Sequence, residues 1–335
     1  MPDEDLTEAL SDHLEIIDKD LRLRGVEIDR RPMLALINFL LSGDVELRFG
    51  DDIVDISKPQ EHAKTEWFKA FYAAVEKWYE RNYGAERTSG SDRRNNIQEG
   101  AVLIRNEAYS LMVPTNRRKV EVEGEQAWMY FDEGLEQNED PLAWIVNAPK
   151  LDGLSKKDRR SVKSDAEKVA STLRFIEFRR VTGNKDKRNI RAQELIEATL
   201  VYLKLAAKRM TTGDRSERIM AWFDLQMAAE SALKAAIQQA SDAHPRVHPL
   251  NDLLRVAEIH GVKFDSSRLR EWPNFKSMSD YRYGKGDPGG NEELFAAYLL
   301  TLDLARSAID TIEPGLQSGF GVLLQYPPWK SRPEC

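Results

Sequence analysis

The sequence predicts a mostly α-helical protein. An N-terminal α+β domain carries a small antiparallel β-meander, and a C-terminal antiparallel helical bundle follows. Three observations predict this. Long stretches carry apolar residues at spacings near 3.6, the period of an amphipathic helix. The β-prone runs are gathered in one window, 100–131. After residue 190, helical patterns succeed one another through short links, which makes neighbouring helices antiparallel. With 335 residues and roughly 100–200 residues per domain, two domains are expected. The division is 1–150 for the α+β domain, 151–191 for a basic helical connector, 192–312 for the bundle and 313–335 for a tail.

Each element follows from its pattern. Residues 3–23 place Leu6, Leu10, Leu14 and Ile17 on one helical stripe. A short helix is predicted at 31–42, closed by Ser42-Gly43, and Val45 to Ile56 reads as a strand pair turned at Gly50-Asp51-Asp52. Glu61 to Tyr83 is an aromatic helix stopped by Gly84, and Thr88 to Asn96 is a polar loop. Strands are expected at 102–104, 109–113, 119–122 and 128–131. Their turns fall at Asn106-Glu107, Pro114 to Asn116 and Glu123-Gly124. Residues 156–181 return to helix. At 3.6 residues per turn, Val162, Ala166, Val169, Leu173 and Ile176 fall within about 80° of one another, a core stripe. Arg159, Arg160, Lys163 and Arg174 gather on an adjacent face about 100° wide. Gly183 is a C-cap and Asn184 to Asn189 a polar linker.

Composition narrows the classes. An apolar fraction of 41% argues against a disordered chain. No stretch reaches the roughly 20 apolar residues of a membrane helix, so no membrane partner is expected. The N-terminus, Met1-Pro2-Asp3-Glu4-Asp5, lacks the basic and apolar regions of a secretory signal. The single cysteine, Cys335, allows no internal disulfide and no cysteine-rich zinc site. A reducing, cytoplasmic location is the expectation. Net charge is −7, yet Lys150 to Arg191 carries 14 Lys/Arg against 6 Asp/Glu. This segment is either a solvated helix face or an electrostatic track for a nucleic-acid backbone through Arg159, Arg160, Lys163 and Arg174.

The bundle is predicted as Ala192 to Met210, Arg215 to Ala240, Pro249 to His260, an irregular stretch Ser266 to Tyr283 interrupted near Pro273, and a final helix 292–312 capped by Asn291. Thr211 to Asp214, Gly261 and the 284–290 glycine loop separate them. In the second helix Ile219, Trp222, Phe223, Leu233 and Ile237 form the apolar stripe. Gln226 and Glu230 fall inside it, with Lys234 at its edge. Polar groups on such a stripe are costly unless partnered. They form either an i,i+4 Glu230–Lys234 pair or the lining of a polar cleft.

Three motifs in this order are informative: Gln226-Met227-Ala228-Ala229-Glu230-Ser231-Ala232-Leu233-Lys234-Ala235, His248-Pro249-Leu250-Asn251-Asp252-Leu253-Leu254 and Tyr281-Arg282-Tyr283 before a long closing helix. The set resembles the HEPN domain over about residues 192–312. The resemblance implies a helical bundle, a homodimer formed through it, and a role with RNA or a nucleotide. Many such domains are metal-independent ribonucleases of toxin–antitoxin and antiviral defence systems. Those carry an Arg, four to six residues and a His where this chain has Arg282. Here Arg282 is followed by Tyr283-Gly284-Lys285-Gly286-Asp287-Pro288-Gly289 and no His. A positioned acid–base group contributes about 10²–10⁴-fold, so its loss counts against cleavage.

Three functional expectations follow. The first is an RNA- or nucleotide-binding protein of a bacterial defence, toxin–antitoxin or stress system. It would use Arg282, Tyr283, Lys285, Glu230, Lys234 and His248, and its N-terminal domain would recruit a protein partner. The second is a divergent metal-independent endoribonuclease, with Arg282 assisted by Tyr283 or Asp287, or with His260 spaced Arg-x4-His from Arg255. The third is a structural dimerisation module. His244 and His248 are separated by Pro245 and lack a neighbouring third ligand, so no metal is expected. The 284–290 loop does not match the phosphate-binding loop, and no cofactor is expected.

Overall fold

The computed structural model describes residues 2–42, 47–49, 52–54, 62–84, 88, 97–122, 126–183, 190–270, 272–273 and 275–325. The expected turn at Gly50-Asp51, the loop 89–96, the turn at Glu123-Gly124, the linker 184–189 and Cys335 lie outside the described residues.

The chain is mostly helical, with small antiparallel strand pairs. Two compact units are present. One comprises 1–95, 119–128 and 323–335, and the other 96–118 and 129–322. In the first, helices α1 (Pro2–Leu23), α2 (Arg31–Leu41) and α3 (Glu66–Tyr83) close on a core of Leu10, Leu14, Leu36, Phe68 and Tyr79. Thr65 caps α3 by accepting the Phe68 N–H. Asp18 is buried in this unit and ion-paired by Arg22 at 3.1 Å and Arg31 at 3.5 Å. Strands β1 (Leu47–Phe49) and β2 (Asp52–Val54) form the expected hairpin.

The second unit opens with strands β3 (Ile97–Ile104) and β4 (Glu107–Pro114), paired antiparallel throughout. Their turn is Arg105-Asn106, one residue earlier than expected. Both residues have positive φ, 53° and 64°, as a two-residue hairpin turn of the primed type requires. The window 100–131 is not one meander. Strands β5 (Arg117–Val122) and β6 (Gln126–Phe131) join β7 (Phe320–Gln325) in a separate three-stranded sheet centred on β6.

The boundary expected at 150 is displaced, because the β3–β4 hairpin belongs to the core of the helical unit. Ala101, Val102, Ile104, Leu111 and Val113 share one buried cluster with residues of helices α4 (Lys156–Thr182), α5 (Ile190–Thr211), α6 (Arg215–Ser241) and α9 (Asn291–Ile309). Helix α4 is a wall of that core rather than a connector. Its predicted stripe, Val162 to Ile176, is buried in full. Ser155 caps its start by accepting the Asp158 N–H.

Helix α6 is buried nearly all round. It packs against α5, α7 (Leu250–Ile259), α8 (Phe275–Arg282) and α9. The link after α5 is short because Asp214 accepts the Ser216 N–H and starts α6 at once. Helix α9 begins one residue earlier than expected, at Asn291, with Gly290 as its cap.

Candidate binding site

Four residues on α6 lie one turn apart along a single ridge: Trp222, Gln226, Glu230 and Lys234. Each has a partner. Trp222 donates its indole N–H to the Pro288 carbonyl at 2.8 Å. Gln226 donates to the His248 carbonyl at 3.0 Å and accepts the Trp272 indole N–H at 2.8 Å. Glu230 takes Lys234 Nζ at 2.7 Å and His248 Nδ1 at 3.0 Å. The polar residues on the stripe are therefore a partnered ridge that ties down the segment before α7, not an open cleft. The i,i+4 pair is present, but both members are buried rather than at a stripe edge.

The Trp222 end of the ridge opens into a cavity of about 550 Å³ in the helical unit. Its wall is aromatic. Trp222 and Trp272 meet edge to face, with centroids 5.9 Å apart and planes at 76°. Trp222 and Tyr281 lie near-parallel at 28°, with centroids 6.3 Å apart. All three polar tips are held by protein groups, since the Tyr281 hydroxyl donates to the Asp287 carbonyl at 3.0 Å. The rings are thus positioned before any ligand arrives.

Two carboxylates and one guanidinium complete the lining. Asp287 accepts the Gly289 N–H at 3.2 Å, and Glu293 accepts the Gly290 N–H at 3.3 Å. Each bond takes one lone pair of one oxygen, so both oxygens of each carboxylate can still accept. Burial first, then the charges of Asp287 and Glu293, hold the Tyr281 hydroxyl pKa above its ordinary value. Arg268 lies over the Phe264 ring and donates to Asp303 at 2.6 Å. Beside the pocket, Arg215 holds the Gly286 carbonyl at 2.6 Å, and Lys285 is exposed on the same loop.

The chain matches no protein-family model, no curated protein and no solved structure.

The structure separates the residues singled out from the sequence. Arg282 ends α8, and its side chain lies outside the described residues. Tyr283 is exposed to solvent. His260 caps the end of α7, and Arg255 is exposed beside Asp252. Neither lines the aromatic pocket. His244 is bonded to Gln238 and His248 to Glu230, so the two imidazoles serve different partners. Among the described residues, no group of three or more His, Cys, Asp or Glu side chains could hold a metal ion.

The basic track needs correction at Arg174. This residue is only 1% exposed and is locked inside the protein. It pairs with both Glu139 oxygens at 2.5 and 2.6 Å and donates to the carbonyls of Pro114 and Gly134. Burial pushes the Glu139 carboxyl up, but the Arg174 hydrogen bonds and the Glu136 N–H outweigh it and hold the pKa below the usual carboxylate value. Arg159, Arg160 and Lys163 are exposed as expected. Arg159 lies 3.3 Å from Asp152, and Lys163 lies 3.7 Å from Glu167. Lys168 and Arg180 are likewise paired, with Asp303 and Glu177. Much of the positive charge in this segment is answered locally.

Trp272 and Tyr281 were not recognised as ring-wall residues in the sequence. The available signal was Trp272-Pro273 inside a broken helical pattern, where an aromatic cannot be serving a regular core stripe.

Proposed function

We propose that this protein binds RNA or a nucleotide, and that the aromatic pocket is where a base sits. The observation that carries the reading is the wall of Trp222, Trp272 and Tyr281, with each polar tip already bonded and Arg268 at the lining. Every nucleobase has a π-face, and stacking one on an aromatic side chain contributes about 1–3 kcal/mol. Arg268 lines the pocket beside its partner Asp303, and Arg215 and Lys285 put positive charge on the adjoining 284–290 loop, which would attract a phosphate attached to the base. The HEPN resemblance supports the same reading, since it implies an RNA- or nucleotide-directed helical bundle. On that resemblance the bundle also forms a homodimer, and the protein belongs to a bacterial defence, toxin–antitoxin or stress system.

Binding is favoured over cleavage. Nucleolytic chemistry without a metal needs a positioned acid–base group, and no described histidine lines the pocket.

The test is quenching of tryptophan fluorescence by a mixed nucleoside monophosphate pool and by short single-stranded RNA, at low and high salt. Saturable quenching is expected, with RNA binding weakened by salt. In Trp272→Ala the affinity should fall about 5–150-fold, the equivalent of one stacked base. RNA incubated with the protein in EDTA should stay intact. Absence of saturable quenching by every nucleotide and by RNA would overturn the reading.

A further inference from the structure

We propose that the pocket selects guanine among the nucleobases. The inference rests on the reading of the cavity as a base site and goes on to its specificity.

The acceptors decide it. Asp287 and Glu293 both line the cavity. A carboxylate accepts hydrogen bonds and donates none. Both groups are held in place by the same short stretch of backbone, through the Gly289 and Gly290 N–H groups. Gly289 has φ +68°, and a Cβ there would fall 2.0 Å from Glu293 Oε2. A residue with a side chain at that position would displace the carboxylate. The acceptors are therefore fixed by the loop and by the first turn of α9, and both line the same cavity as the three rings.

The Watson–Crick edges of the bases answer this arrangement differently. Guanine alone presents two adjacent donors, N1–H and the N2 amino group, which match the two oxygens of one carboxylate. Adenine and cytosine each set a ring-nitrogen lone pair beside their amino group, and that lone pair would face the carboxylate. Uracil flanks its one N–H with two carbonyl oxygens, which would also face it. Single-stranded bases are read on these edges while stacked on aromatic side chains. A hydrogen bond to a charged group is among the stronger ones in a protein. Asp287 and Glu293 are exposed in the free protein, so discrimination comes from the bonds a base without paired donors forfeits and from its lone pair set against the charge.

The experiment is a titration of the full chain with GMP, IMP, AMP and UMP, read by tryptophan fluorescence, in wild type and in Glu293→Gln and Asp287→Asn. GMP should bind about 10–100-fold more tightly than AMP. IMP, which lacks the N2 amino group, should fall between them. The preference should collapse in at least one variant, with the GMP-to-AMP affinity ratio falling to within about threefold of one. Thermal melts that match wild type would show that the variants are folded. AMP binding as tightly as GMP would overturn the guanine assignment and leave the base-site reading standing. A GMP preference that survives both variants would also overturn it. If no nucleotide binds and tetramethylammonium does, the rings and carboxylates form a site for an organic cation, and both readings fail together.

Discussion

Asp224 sits on α6 with 3% of its surface exposed. Its Oδ2 lies 3.2 Å from Arg209 Nε, but that oxygen has no hydrogen-bond partner. Burial dominates here. It pushes the carboxyl up to about 6, against the attraction of Arg209 and with a smaller push from Glu217. The sign for stability follows. The folded pKa lies above the unfolded value, so the group favours the folded state fully below about pH 4 and loses that contribution as pH rises through about 6. At neutral pH the protein carries a charged carboxylate in a poor environment. Asp224→Asn should therefore stabilise the fold by about 1–2 kcal/mol at pH 7 and by little at pH 4.5. Arg209 keeps Glu217, 3.5 Å away, in the variant. Urea unfolding at the two pH values checks this. A loss of stability at pH 7 would mean that the Arg209 pair outweighs the burial cost. Arg174 is the contrasting case, since its charge is fully answered by Glu139 and two carbonyls. Sequence periodicity placed the two arginines 174 and 159 on one face, but periodicity carries no information about what packs there. A neighbouring carboxylate 35 residues away made one of them a buried anchor.

Within elements, the sequence was most legible where one face of a helix meets one core. The α4 stripe, the α6 start at Asp214 and the α1 stripe through Leu10 and Leu14 were all readable, because each depends on spacing within the element. The partners were not readable. Nothing in residues 97–114 says that their hairpin closes the helical core, and nothing near 126–131 points to β7 some 190 residues later. The polar residues inside the α6 stripe were visible as an anomaly, but their partners on the segment before α7 and at Trp272 required the fold. Gly100 marks the junction of strand and helices. A Cβ there would fall 2.6 Å from Val169 Cγ1 and 3.1 Å from Leu173 Cδ1 on α4, and 3.2 Å from the Tyr298 hydroxyl on α9. All three neighbours are buried. Gly100→Ala should cost about 1–3 kcal/mol through overpacking. Pairing it with Val169→Ala should recover part of that loss, because the closest contact is removed. Thermal melts of the single and double variants decide it. A neutral single variant would mean that β3 is not pressed against α4.

At the scale of the whole chain, the apolar residues divide into two buried clusters that share no member. One gathers three helices around Leu14, Leu36 and Tyr79. The other gathers the β3–β4 hairpin and the helices from α4 onward around Ile176, Leu233 and Leu302. Cooperativity arises from shared burial, so each cluster should unfold as its own unit. Leu14 and Leu302 are both completely buried, and truncating either to Ala should cost about 2–5 kcal/mol. Leu14→Ala should lower the transition of the N-terminal unit alone. Leu302→Ala should lower that of the helical unit, and with it the pocket, whose wall residues Ala297 and Leu300 lie on the same helix. Hydrogen exchange read by mass spectrometry tests this, because protection can be followed separately for peptides of 2–42 and of 215–241. Loss of protection confined to the unit that carries the substitution is the expected result. Equal loss in both sets of peptides from either variant would show one cooperative unit. The proposed nucleotide binding would then depend on α1 as strongly as on α9, and a lesion near Leu14 would weaken the aromatic pocket without touching it.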